Sequence, residues 1–113
     1  MASQVRPTAN VVRVLQVFLE DPTVPRYGFD LMQVLGLASG TLYPILARLE
    51  SAGWIVGQRE AIDPVEAGRS PRRTYLLTPD GAELAADAVR VLQNQLRLGS
   101  AWGRSGVPRE APA

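Results

Sequence analysis

The sequence predicts a mainly α-helical fold with a small β-hairpin, and three observations carry that expectation. Residues 41–49, TLYPILARL, place Leu42, Ile45, Leu46 and Leu49 at i, i+3, i+4 and i+7, one apolar stripe along a helix. A shorter stripe precedes it across Gly36, the pattern of two helices joined by a turn. Beyond it, two short β-prone runs flank a loop rich in Pro and Gly, and a long striped helix follows.

The first helix starts at Thr8 as N-cap and runs to about Glu20, with Val11, Val14, Leu15 and Phe18 as its stripe. Propensity alone would make VVRVLQVFL a strand; the stripe, sustained for two turns, decides for helix. Asp21-Pro22 ends it, because the residue before proline avoids helical backbone. The second helix spans about Tyr27 to Leu35, with Gly28, Leu31, Met32 and Leu35 on one face and Gly36 as its stop. The third takes Ser39 or Gly40 as N-cap and runs to about Ala52, with Gly53 as its left-handed terminator. Pro44 falls in or just past its first turn, four residues after Gly40, whose missing side chain softens the clash.

Trp54, Ile55 and Val56 open a strand, residues 60–72 form a loop, and Arg73 to Leu77 return. The last helix has the clearest start: Thr78 as N-cap, Pro79 first in the helix, and Asp80 and Glu83 in or beside the first turn. It runs to about Leu98, roughly 30 Å. Leu84, Ala88 and Val91 form one seam on it, and Ala85, Val89, Leu92 and Leu96 another. So wide an apolar face suits a partner; the alternative is that the helix folds back on its own domain. The expected architecture is a winged helix-turn-helix over 8–77, a dimerisation helix over 78–98 and a disordered tail over 99–113. In that tail Trp102 either docks on the dimer, at an effector pocket, or is incidental.

Composition narrows the function. A chain of 113 residues is one domain and often leans on oligomerisation. With neither cysteine nor histidine it has no disulfides, few routes to a metal site and none of the commonest acid–base residue. No apolar run approaches a membrane span, and the N-terminus lacks a signal-peptide pattern, so a cytoplasmic protein without membrane partner is the default. No cofactor is expected. The net charge of +1 says little, but residues 67–77 hold Arg69, Arg72 and Arg73 and no acid. All twelve basic residues are arginine, a bias that a GC-rich genome explains, and each guanidinium forks onto phosphate or guanine.

The segments YGFDLM (27–32), SGTLYPILARLESAGWI (39–55) and GRSPRRTYLLTPDG (68–81) resemble the three signature blocks of PadR-family transcriptional regulators, in the same order and spacing. The resemblance covers roughly residues 8–92 and points to the short branch with a single C-terminal helix. It implies a dimeric regulator, paired through that helix and often the first, with a small hydrophobic or aromatic effector bound between subunits. Gly28-Phe29-Asp30, Trp54 and Thr74 are variants of common positions. The loop over 60–68, with Pro64 and three acids, departs from the pattern.

A repressor of this kind lays its third helix in the major groove of double-stranded DNA. Thr41, Tyr43 and Arg48 are the expected groove contacts, beside Pro44 on the small-residue face. The amides at Ser39 and Gly40 and the side chain of Tyr27 would take phosphates. Arg69, Arg72 and Arg73 would meet backbone or minor groove. A homodimer joined through Leu84, Ala85, Ala88, Val89, Val91, Leu92 and Leu96 reads two half-sites about 34 Å apart, hence an inverted repeat. Other readings of single residues stay open: Tyr43 against the second helix, Arg48 paired with Glu50, Arg72 and Arg73 as a solvated turn. Trp54 and Tyr75 read as core. Two other functions compete, a winged-helix module that binds protein and a small enzyme; the arginine cluster opposes the first, and the lack of His, Cys and a phosphate-cradling loop opposes the second.

Overall fold

A computed structural model describes the backbone of residues 5–104 and the side chains of residues 5–98. Helix α1 (Ala9–Glu20) begins at Thr8, whose hydroxyl accepts from the Val11 amide at 3.4 Å. Its expected stripe is buried, and so are Val12 and Val17, so α1 is covered on more than one side. One wall is the closing helix, α5 (Pro79–Arg104), which packs along α1.

Between these helices lie β1 (Arg26–Tyr27), α2 (Gly28–Leu35), α3 (Ser39–Ser51), β2 (Ile55–Arg59), α4 (Pro64–Ala67) and β3 (Arg73–Leu77). The sheet is antiparallel with order β1-β3-β2. Register runs from Ile55↔Leu77 to Arg59↔Arg73 in the hairpin, and Arg26↔Tyr75 and Tyr27↔Thr74 join β1 to it. The core gathers Phe18, Leu31, Leu42, Leu46, Leu49 and Ile55, with Trp54 and Tyr75 closing it beneath the wing. Fold class therefore matches the expectation: helices around a small sheet, in a winged helix-turn-helix.

The boundaries differ at four places, each for a local reason. Strand β1 was not expected, because two residues are too few to show alternation. Helix α3 is capped by Ala38, whose carbonyl accepts from Thr41 and Leu42 at 3.0 Å, so Ser39 and Gly40 are already helical. The 60–72 loop contains α4, started by the Asp63 carboxylate on the Val65 amide (3.0 Å) with Pro64 first in the helix. Helix α5 continues to Arg104, beyond the expected end at Leu98 and into the segment expected to be disordered. An interior Gly costs about 1 kcal/mol against Ala, which a long helix absorbs at Gly99. The side chain of Trp102 and residues 105–113 lie outside the described residues.

Two motifs fix the wing to the helices. Helix α3 ends in a Schellman turn: Gly53, at φ 81°, donates to the Glu50 carbonyl (3.1 Å), and Trp54 donates to that of Leu49 (2.9 Å). Thr78 then joins three elements. Its hydroxyl donates to the Gly53 carbonyl (2.7 Å) and accepts from the Gly81 amide (2.9 Å), while its own amide donates to the Trp54 carbonyl (3.0 Å).

The expected dimer seams need correction. Ala85 and Ala88 are 0% and 9% exposed, enclosed in the core of their own chain, and Leu84 and Val89 pack partly against it. Small residues let α1 approach α5 closely, so the first half of the helix does fold back. Only the second half projects: Val91, Leu96 and Leu98 are 45%, 65% and 69% exposed. Among the described residues no helix is long and apolar enough to cross a membrane.

Candidate nucleic-acid interface

The two faces of α3 separate as the spacing predicts. Leu42, Ile45, Leu46 and Leu49 are buried, whereas Ser39, Gly40, Thr41, Tyr43, Pro44, Ala47, Arg48 and Ser51 are exposed. A Cβ at Gly40 would meet no atom within 4 Å outside the neighbouring backbone of its own helix. The face is left low and open, as a surface that another must approach closely. The amides of Ser39 and Gly40 precede the first intrahelical bonds, leaving donors at the positive end of the helix dipole.

Tyr43 packs against α2 and stays exposed. Its ring fills the space over Gly28, where a Cβ would lie 2.5 Å from the phenol oxygen, yet the residue remains 41% exposed. Its position is thus set by α2 while its edge faces outward. Arg48 makes no ion pair among the described residues. Glu50, its alternative partner, is taken by Arg73 at 2.7 Å.

Two of the three wing arginines, Arg69 and Arg73, are not the free cations that the sequence suggested. Glu60 receives both terminal nitrogens of Arg69, at 2.7 and 3.0 Å, the Arg72 amide at 3.1 Å and the Tyr27 hydroxyl at 3.2 Å. The Arg69 guanidinium, then the Arg72 amide, holds the Glu60 carboxyl down at about 2, so it is ionised at any physiological pH. Arg69 is therefore neutralised by a forked pair. Arg73 is neutralised by Glu50 and lies 5.8 Å from the Tyr75 ring centroid; Tyr75 itself is buried, as expected, and burial raises its hydroxyl pKa. Tyr27 is half-buried and its hydroxyl already has a partner; its ring carries the Arg72 guanidinium 5.6 Å above the centroid.

Glu50 ties the hairpin to the end of α3, and Glu60 ties it to Tyr27 at the start of α2. On α3 and the wing, the exposed guanidinium groups without an acidic partner among the described residues are Arg48 on α3, Arg72 on the loop and Arg59 on β2. Arg59 was missed in the sequence; it lies across the hairpin from Arg73, a like-charge pairing relieved by Glu50. Glu60 was missed as well, because its meeting with Arg69 depends on how the 60–72 loop turns. A cavity of about 260 Å³ opens beside α5, lined by Val5, Trp54, Leu84, Ala88 and Val91 among others. Among the described residues no group of His, Cys, Asp and Glu is placed to hold a metal ion.

A family model described as the transcriptional regulator PadR-like family matches residues 14–87. Among solved structures, reduced AbfR bound to DNA is 28% identical, over 74% of this chain and 55% of that one, with a TM-score of 0.56. The chain thus spans little more than half the length of AbfR. The circadian clock associated protein Pex from anabaena is 25% identical over 82% of this chain and 84% of its own, with a TM-score of 0.57. The smu.1704 protein of Streptococcus mutans UA159 shares the fold at 20% identity, over 100% and 99% of the two chains, with a TM-score of 0.62. No curated protein matches the sequence.

Proposed function

Because the chain belongs to the PadR-like family of transcriptional regulators, which are not enzymes, we propose that it is a homodimeric repressor that binds an inverted-repeat operator. The observation that carries this reading is the outer face of α3: a row of small exposed side chains with Arg48, rigidly backed by four buried leucine and isoleucine side chains. In the major groove, Thr41, Tyr43 and Arg48 reach base edges past Pro44, and the amides at Ser39 and Gly40 take a phosphate. Tyr27 holds Arg72 toward the backbone from the side of α2. Arg69 and Arg73 meet phosphate only by exchanging their acidic partners, so Arg59 and Arg72 supply the wing's first attraction.

The second protomer pairs through the projecting half of α5, by Val91, Leu92 and Leu96, with Leu84 and Val89 at the edge of the contact. That pairing sets two α3 helices about 34 Å apart, one turn of duplex. A small hydrophobic or aromatic effector seated on the α5 seam, near Trp102, would shift that spacing and release the operator.

The test is retardation of DNA carrying the gene's own upstream region over a salt series. The three unpaired guanidinium groups on α3 and the wing of each protomer give a dimer a log–log slope of about −5. A flat response would leave the protein-binding reading in its place, which the neutralised wing favours.

A further inference from the structure

Gly28 is the first residue of α2 and is buried. Its presence there needs a reason, because glycine loses more freedom on folding than any other residue and is a poor helix former. Backbone conformation does not supply one: the glycines of positive φ among the described residues are Gly36, Gly53 and Gly68. Space does. A Cβ at position 28 would lie 2.5 Å from the Tyr43 phenol oxygen and 2.9 Å from two carbons of its ring, where ordinary contact begins near 3.4 Å. The three nearest atoms thus all belong to one side chain of α3, the helix whose outer face is the candidate groove reader.

The floor under that ring is held at both ends. Tyr27, before Gly28, pairs with Thr74 in the sheet and donates its hydroxyl to Glu60. Leu31, three residues after Gly28, is 1% exposed in the core. Tyr43, by contrast, is 41% exposed, and its ring is the far end of a flexible side chain. A methyl group at position 28 therefore displaces the ring, by about 1 Å at the hydroxyl, and leaves the backbone where it is. That distance is enough to remove a hydrogen bond or a van der Waals contact with a base edge. The change adds no charge, so attraction to phosphate, which is the same for all sequences, is untouched.

We propose that Gly28 is a positioning residue for sequence selectivity: the side chain it lacks lets the Tyr43 ring seat on α2, and that seat fixes where Tyr43 meets a base. The assignment rests on the DNA-binding reading of α3. It adds that a buried residue on the neighbouring helix, and not α3 alone, sets which sequence is preferred.

The experiment compares wild type, Gly28→Ala, Tyr43→Ala and the double variant, each as the whole chain. A duplex is selected by the wild type from a random-sequence pool, and its affinity in a retardation assay is set against that of an unrelated duplex of equal length. Gly28→Ala should lower the ratio of the two affinities about tenfold or more, one base contact being lost from each protomer, and should change affinity for the unrelated duplex by less than about twofold. In the Tyr43→Ala background, where no ring is left to displace, Gly28→Ala should change the ratio by less than about twofold. The urea midpoint of Gly28→Ala should equal or exceed that of the wild type, since alanine is the better helix former. In NMR spectra of the wild type, nuclear Overhauser contacts between the Gly28 α-protons and the Tyr43 ring are expected. An unchanged ratio, an equal loss in both Tyr43 backgrounds, a lowered urea midpoint or the lack of that NMR contact would each overturn the assignment. If the NMR contact is present but the wild type selects no sequence from the pool, it is the DNA-binding reading that fails, and the role in selectivity falls with it.

Discussion

Replacing Gly81 by Ala puts two physical effects in direct opposition. By helix propensity the change gains up to about 1 kcal/mol, since Gly is the poorer residue in a helix. The packing predicts the opposite. A Cβ at position 81 would lie 1.9 Å from the Trp54 carbonyl oxygen, where ordinary contact begins near 3.4 Å, so the first turn of α5 must retreat by about 1.5 Å. The obstacle is backbone, held by the Schellman turn that ends α3, and it cannot swing aside as a side chain does. Retreat also stretches the bonds that Thr78 makes to the Gly53 carbonyl and from the Gly81 amide. Overpacking of this kind costs about 1–3 kcal/mol, and each weakened hydrogen bond about 1 kcal/mol more. After the propensity gain, Gly81→Ala should lose about 2–4 kcal/mol. Urea unfolding at fixed protein concentration reads this as a midpoint lowered by about 1 M or more. A midpoint equal to or above that of the wild type would refute the close docking of α5 on Trp54.

Three further outcomes are expected. Glu60 has its pKa depressed from the usual 4.5 to about 2, so the stability of its clamp is full above pH 4.5 and is lost as pH falls toward 2; the urea-midpoint gap between wild type and Glu60→Gln should therefore be constant near neutrality and close below pH 4. Arg48→Ala and Arg72→Ala should each flatten the salt slope of DNA binding by about 1 per protomer, while Arg69→Ala, which deletes an already neutralised charge, changes it less; equal effects of all three would show that the Glu60 pair opens on DNA. Leu96→Glu, on the projecting half of α5, should give monomers in sedimentation at micromolar concentration with the fold retained by circular dichroism, and an unchanged dimer would remove that face from the interface.

Much of the fold was legible because its signals are local. Thr78-Pro79 marked the start of α5, and Arg73 to Leu77 matched β3 residue for residue, since a cap followed by proline and a short β-branched and aromatic run each act within a few positions. The exposed face of α3 was legible for the same reason, by periodicity. The charges at the wing were not. Glu60 is nine residues from Arg69 and Glu50 is twenty-three from Arg73, and only hairpin register and the turn of α4 bring them together. Nor did the seams on α5 show which half would be taken by α1, because Ala85 and Leu96 belong to the same periodic set.

The pairing of the wing arginines alters how affinity divides between the two halves of the reading head. Phosphate attraction is independent of sequence, so every free guanidinium on the wing tightens binding to all DNA alike. Glu50 and Glu60 remove two of four such groups, Arg69 and Arg73, from that pool and use them to fix the hairpin against the end of α3 and the start of α2. What is lost in general attraction is returned as geometry: the loop that would otherwise have to be ordered on binding is already held, and the ordering cost is met in folding. Arg48 then stands on a helix whose end is tied to the hairpin, through Glu50 and Arg73, in the free protein. In the proposed repressor, with a net charge of only +1, discrimination between operator and other DNA depends on that fixed spacing more than on charge.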